Sequence, residues 1–127
     1  MTLQVVRKGG VDLLSDGGCW LGVEEAGSPK RSGGQGDVLA GSIATLLSWA
    51  KQAEAAEGES SQGEGLPCGD GLPSAPLLAA YTGCLLTRRF SAAAFARHRR
   101  AMTAPDLIEA IGPVFEEFSP SGGAASS

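Results

Sequence analysis

Residues 27 to 37 read Gly27-Ser28-Pro29-Lys30-Arg31-Ser32-Gly33-Gly34-Gln35-Gly36-Asp37 and run directly into an apolar helical pattern. These types in this order suit an anion site. Glycines let backbone N–H groups approach an anion, the positive end of a helix macrodipole attracts the same charge, and Lys30 and Arg31 stand alongside as cations. Asp37 falls at the helix start, where an acceptor hydroxyl would meet a bound phosphoryl group. It is therefore the candidate proton acceptor, with the N–H groups from Gly34 to Asp37 as a candidate anion hole. Each residue also has an ordinary reading. The glycines can form a plain loop, Asp37 can be an N-cap, and Lys30 and Arg31 can be solvated cations. Upstream, Lys8-Gly9-Gly10-Val11-Asp12 reads on residue type alone as a strand end, a turn and a solvent-facing acid.

The elements that must position these groups follow from periodicity. Leu3-Gln4-Val5-Val6 favours a strand, Val11-Asp12-Leu13-Leu14 a second, and Asp16-Gly17-Gly18 turns the chain into a third at Cys19-Trp20-Leu21-Gly22-Val23. From Asp37 the period lengthens, because Leu39, Ile43, Leu46, Leu47 and Ala50 share one helical face. Gly41 inside that helix costs roughly 1 kcal/mol against alanine, so a close approach by a neighbouring element is expected there. Residues 51–74 are Gly, Glu, Ser, Gln and Pro with little apolar content, which predicts an acidic surface loop. Ser74 is placed to cap a second helix with Pro76 in its first turn, burying Leu77, Leu78, Tyr81, Cys84 and Leu85, and residues 91–102 are expected to continue it after a break. Thr103-Ala104-Pro105-Asp106 reads as a capping box for a third helix with the stripe Leu107, Ile108, Ile111, Val114, Phe115 and Phe118. The tail, residues 119–127, is predicted to be disordered.

Bulk properties exclude several functions. The 127-residue chain carries a net charge of −4, which repels polyanions and argues against a nucleic-acid role. The one basic cluster, Arg97-His98-Arg99-Arg100, reads as a solvated helix end. Cys19, Cys68 and Cys84 are odd in number and lack CxxC spacing, so neither a disulfide framework nor a zinc site is expected, and a reducing compartment fits. No apolar run is long enough for a membrane span, and the N-terminus lacks the charged-then-apolar design of a signal peptide, so the chain as given is expected to be soluble and untargeted. Trp20, Trp49 and Tyr81 read as packing residues and His98 as a surface histidine.

Three short strands cannot cover three amphipathic helices, so the chain is expected to be the C-terminal part of a larger α/β protein or the product of an incomplete gene model, with a free-standing small domain as the less favoured alternative. Gly34-Gln35-Gly36-Asp37 resembles the GxGD signature of the ribokinase-like superfamily. The whole string from Gly27 to Asp37, with Lys8-Gly9-Gly10-Val11-Asp12 before it, resembles the eukaryotic ATP-dependent NAD(P)H-hydrate dehydratase family. That resemblance implies an α/β, ribokinase-like three-layer sandwich of which residues 1–118 would be the C-terminal part. It implies a lyase that repairs the S form of hydrated NADH or NADPH by ATP-dependent dehydration, releasing ADP and phosphate. By position, Lys8, Gly9, Gly10, Val11 and Asp12, together with Gly27, Ser28, Pro29, Lys30, Arg31, Ser32, Gly33, Gly34, Gln35 and Gly36, would contact ATP. Asp37 would be the catalytic residue and also touch the hydrated dinucleotide. Mg²⁺ is expected to travel with ATP, without a dedicated protein cage. ATP and hydrated NADH or NADPH are the implied partners, with no nucleic acid and no membrane, and a homo-oligomer stays open for the full-length protein. The chain as given is expected to be cytoplasmic, with a mitochondrial or plastid parent left open. Two departures stand out: Arg99 occupies a place where that family tends to have a small residue, and the 51–74 segment is longer and more acidic. A small-molecule kinase of the same superfamily and a non-catalytic nucleotide-binding remnant remain the alternative readings.

Overall fold

A computed structural model describes residues 3–57 and 73–119. Three strands come first, β1 (Val5–Arg7), β2 (Asp12–Ser15) and β3 (Trp20–Val23). They form one antiparallel sheet in the order β1-β2-β3, with Val6 opposite Leu14 and Leu14 opposite Leu21. Three helices follow, α1 (Gln35–Glu57), α2 (Ala75–His98) and α3 (Ala104–Phe118), with a 3-10 turn at Arg99–Ala101 before α3. The expected α/β class with strands before helices is what the chain forms.

The β2–β3 turn is built by side chains. Asp16 Oδ1 accepts the N–H groups of Gly18 and Cys19, and Gly17 takes the positive φ of 100° that the turn requires. The hydroxyl of Ser74 donates to Asp16 while its oxygen accepts the Leu77 N–H as the N-cap of α2, which ties the hairpin to that helix. Leu14, Cys19 and Val23 from the sheet then close over Leu77, Ala80 and Cys84 of α2, with Val6, Leu21, Leu39 and Ile43 packed around them. A smaller cluster, Ala94, Met102 and Leu107 with Phe95, joins α2 to α3. The α3 start carries the expected cap, the Thr103 N–H donating to Asp106 Oδ2 at 2.8 Å.

Several expectations are corrected. Residues 51–57 continue α1 as helix, because Ala, Glu, Gln and Lys are good helix formers whatever their polarity; residues 58–72 and 120–127 lie outside the described residues. Helix α2 runs unbroken to His98, and Leu78 is 39% exposed where burial was expected. The close helix approach occurs at Gly83, where an added Cβ would stand 2.5 Å from Ile43 Cγ1, while nothing comes within 4 Å at Gly41. Gly83 thus sets how near α1 and α2 can lie. Trp20 is 69% exposed where packing was expected, whereas Trp49 meets Phe115 at a ring distance of 6.0 Å. Cys19 is disulfide-bonded, against the expectation of no disulfide, and Cys84 is free and buried; Cys68 lies outside the described residues.

Arg99 closes α2 with φ 53° and ψ −134°, a conformation that side chains with a Cβ disfavour. Its guanidinium lies 4.7 Å from the Phe95 ring centroid, which returns a fraction of that cost. Arg99→Gly is expected to raise stability by about 1 kcal/mol, read as a higher urea midpoint.

Candidate functional site

Strand β2 has its acid on the inward side. Asp12 lies two residues before Leu14, so the period of two places both on the inner face, and each is 0% exposed. The solvent-facing reading of Asp12 is therefore corrected. Its carboxylate is held from three directions: Lys8 Nζ at 2.7 Å, the Gly9 N–H at 3.1 Å, and Arg88, whose Nε and Nη2 donate to its two oxygens at 2.8 and 2.7 Å. Arg88 also donates to the carbonyl oxygens of Gly9, Gly10 and Glu25 at 2.6, 3.0 and 3.2 Å. One guanidinium thereby fixes the β1–β2 loop and the exit of β3 together.

Burial opposes the charged form of Asp12, but the hydrogen bonds from Arg88, Lys8 and the Gly9 N–H, with the Lys8 charge, outweigh it and lower the carboxyl from 3.8 to about 2. A group depressed on folding stabilises fully above its unfolded value and loses that contribution as pH falls through its folded value. Acid titration of the unfolding midpoint is expected to show a loss of about 2 kcal/mol between roughly pH 4 and pH 2 from this group, absent in Asp12→Asn.

The second loop is held by the next turn of α2. Ser91 Oγ accepts the Ser28 N–H at 3.2 Å, and Ser28 Oγ bonds Lys30 through both its N–H and its carbonyl oxygen. Lys30 Nζ donates to Met102 O at 2.8 Å, anchoring this loop to the segment before α3. No hydrogen-bond or ion-pair partner of the Arg31 side chain occurs among the described residues, which leaves Arg31 available as a cation.

At the α1 entry Gly34 takes φ 92°, and an added Cβ would stand 3.0 Å from Ala104 Cβ, so both the turn and the nearness of α3 require glycine. Ser32 and Gln35 brace the turn reciprocally: the Ser32 N–H donates to Gln35 Oε1 and the Gln35 N–H to Ser32 O. The Asp37 N–H donates to Gly34 O. Of the four N–H groups expected to form an anion hole, those of Gln35 and Asp37 are thus committed. Those of Gly34 and Gly36 have no acceptor among the described residues.

Two cavities flank this entry. One, of about 530 Å³, is lined by Lys8, Gly9, Gly10, Gly27, Ser28, Lys30, Arg31, Ser32, Gln35 and Gly36 from the two loops, with Leu39, Thr87, Arg88 and Ser91 behind them. Four of these carry positive charge, and the one acid bonded to them is Asp12, so the wall favours an anion. The other, about 520 Å³ and largely apolar, runs between α1 and α3; Gly34 and Asp37 stand at it beside Val38, Trp49, Phe90 and Phe115. The ten loop residues come together, whereas Val11, Pro29 and Gly33 line neither cavity, and Asp12 acts behind the wall. Asp37 is exposed in the first turn of α1, at the boundary between the cavities.

Arg88, Ser91 and Thr87 were missed by the sequence reading. The available signal was Arg88-Arg89 within an otherwise apolar helix, two adjacent charges that an amphipathic pattern does not ask for. Among the described residues, His98, Asp106 and Glu109 bring one ligand atom each within 4.8 Å of one another. They line a separate cleft of about 70 Å³ against α3. No helix among the described residues is long and apolar enough to cross a membrane.

Comparison with known proteins gives the family of the chain. A family model described as NAD(P)H-hydrate dehydratase matches residues 1–113. An ATP-dependent (S)-NAD(P)H-hydrate dehydratase of Bos taurus is 40% identical over 114 residues, covering 90% of this chain and 31% of its own length. Its namesake from Vitis vinifera is 38% identical over 117 residues, 91% and 30% of the respective lengths, and that of Homo sapiens 37% over 114, 90% and 29%. The chain spans less than a third of the length of the curated relatives it matches. With a match across nearly all of its described residues, the chain belongs to the NAD(P)H-hydrate dehydratase family.

Proposed function

We propose that the complete protein containing this chain restores NADH and NADPH from the S form of their hydrates, with ATP converted to ADP and phosphate. The observation that carries the reading is the meeting of two glycine-rich, cation-bearing loops around one cavity, with Asp37 at the adjoining helix start. ATP phosphates would lie against Lys8, Arg31 and the N–H groups of Gly34 and Gly36. The ring of the hydrated nicotinamide would lie on the Asp37 side, in the apolar cleft.

In this reaction Asp37 takes the proton of the ring hydroxyl as its oxygen attacks the γ-phosphorus, and the bond to the bridging oxygen breaks to release ADP. The phosphate then leaves with the C–O bonding pair. A proton from the neighbouring carbon ends on that phosphate, and the ring double bond returns. Cationic and N–H groups fixed in advance stabilise the charge spread over the transferring group.

Both Asp12 oxygens are taken by Lys8 and Arg88, and the set of His98, Asp106 and Glu109 lines another cleft. Magnesium is proposed to travel with ATP. A cytoplasmic location is proposed for the chain as given, with a mitochondrial or plastid location open for the complete protein.

Recovery of absorbance at the reduced-nicotinamide band from hydrated NADH, with and without ATP, tests the function in the complete protein. ATP-dependent recovery is expected. ATP consumed only in the presence of a vitamin or sugar hydroxyl would assign the protein to the small-molecule kinases instead.

A further inference from the structure

We propose that Arg88 and Ser91, three residues apart on α2, are the positioning residues of the nucleotide site, holding both ATP-facing loops in register. The inference rests on the ATP reading above and goes beyond it by naming the element that sets nucleotide affinity.

The two loops are distant in sequence and do not form a sheet with each other. What they share is one face of α2. Arg88 takes the carbonyl oxygens of Gly9 and Gly10 from the first loop and that of Glu25 on the approach to the second. Ser91 takes the Ser28 N–H, and its own hydroxyl donates to Arg88 O, so the two side chains are themselves joined. Gly27 lies against both: a Cβ there would stand 3.2 Å from Ser91 Oγ and 3.7 Å from Arg88 Cα and Cβ.

Two physical effects follow for an anionic ligand. Carbonyl oxygens left free in the first loop would present lone pairs near phosphate; bound to a guanidinium, that partial negative charge is compensated. Arg88 also shares the buried Asp12 carboxylate with Lys8, which keeps the half-exposed Lys8 in the cavity wall together with the uncommitted Arg31. Asp37 and the apolar cleft receive no bond from Arg88 or Ser91. Loosening α2's grip is therefore expected to change ATP binding and leave the hydrated dinucleotide alone.

Ser91→Ala tests this without disturbing the buried ion pair. In the complete protein it removes the acceptor for the Ser28 N–H, and one hydrogen bond of about 1 kcal/mol corresponds to about a fivefold rise in KM for ATP. KM for hydrated NADH and kcat are expected to stay within about twofold. Gly27→Ala presses the same contact from the loop side and is expected to raise KM for ATP as well. The double variant should then be no worse than the weaker-binding single, because both disrupt one junction. ATP binding by calorimetry, run beside turnover, separates the two readings. If the unmodified protein binds ATP but returns no NADH, the proposed reaction fails, and the ATP affinities of the variants still decide the positioning role. Unchanged ATP affinity in Ser91→Ala, or parallel changes in both KM values and kcat as in a general loss of folded protein, would overturn the inference.

Discussion

Arg88→Leu is expected to destabilise the protein by about 3–5 kcal/mol, read as a fall in the urea midpoint followed through tryptophan fluorescence. The magnitude follows from what stays behind. Asp12 is 0% exposed and would retain only Lys8 and the Gly9 N–H, while the carbonyl oxygens of Gly9, Gly10 and Glu25 lose their shared donor. Breaking a buried pair by removing one partner costs far more than the pair contributes, because the remaining charge is desolvated without compensation. Arg88→Lys should recover only a minor part: a single ammonium cannot span two carboxylate oxygens and three carbonyls. Adding Asp12→Asn to Arg88→Leu should restore part of the loss, since it removes the stranded charge. Strict additivity of the two changes would show that they act independently and would contradict the bonding described.

The reasons this clamp was illegible in the sequence are physical. Asp12 and Arg88 are 76 positions apart, and nothing local to either requires the other. Their meeting depends on the hairpin docking on α2 through Leu14, Val23 and Leu77. Features written in local chemistry were readable: the Asp16-Gly17-Gly18 turn, the Ser74 cap and the Thr103-to-Asp106 cap each involve residues within three positions of one another. The reach of α1 was misread because polarity was weighed above helix propensity for Lys51, Gln52 and Ala53. Continuity of α2 was missed because alanine-rich sequence carries no packing stripe, so tertiary contacts decide it. Gly41 and Gly83 are alike in sequence. Only the crossing of α1 over α2 distinguishes them, leaving Gly41 open and Gly83 against Ile43.

The anion-site reading of the glycine-rich string rests on backbone chemistry that travels with glycine spacing, and the hydrogen bonds at the α1 entry narrow that proposal in one respect. A turn that begins a helix consumes some of its own N–H groups, here those of Gln35 and Asp37. The N–H groups of Gly34 and Gly36 remain without an acceptor among the described residues, Lys30 is tied to Met102, and Arg31 is uncommitted, so on the proposed reading Lys30 holds the loop while Arg31 is left for an anion.

On the proposed reaction, Asp37→Asn in the complete protein is expected to lower kcat by 10²- to 10⁴-fold, the usual contribution of a positioned proton acceptor. Asparagine keeps the size and hydrogen-bonding reach of the side chain but cannot take the hydroxyl proton. Asp37 lines the apolar cleft and contributes nothing to the cavity formed by the two loops, so KM for ATP should remain within about twofold. The structural cost is small by comparison. An acid in the first turn of a helix gains roughly 0.3–1 kcal/mol from the dipole, too little to account for a thousandfold loss of turnover. Single-turnover measurement of NADH recovery, with ATP saturating, isolates the chemical step from product release. Retention of full turnover in Asp37→Asn would remove Asp37 from the mechanism. A fall in kcat matched by an equal fall in ATP affinity would instead make Asp37 part of the nucleotide site, contrary to its place at the apolar cleft.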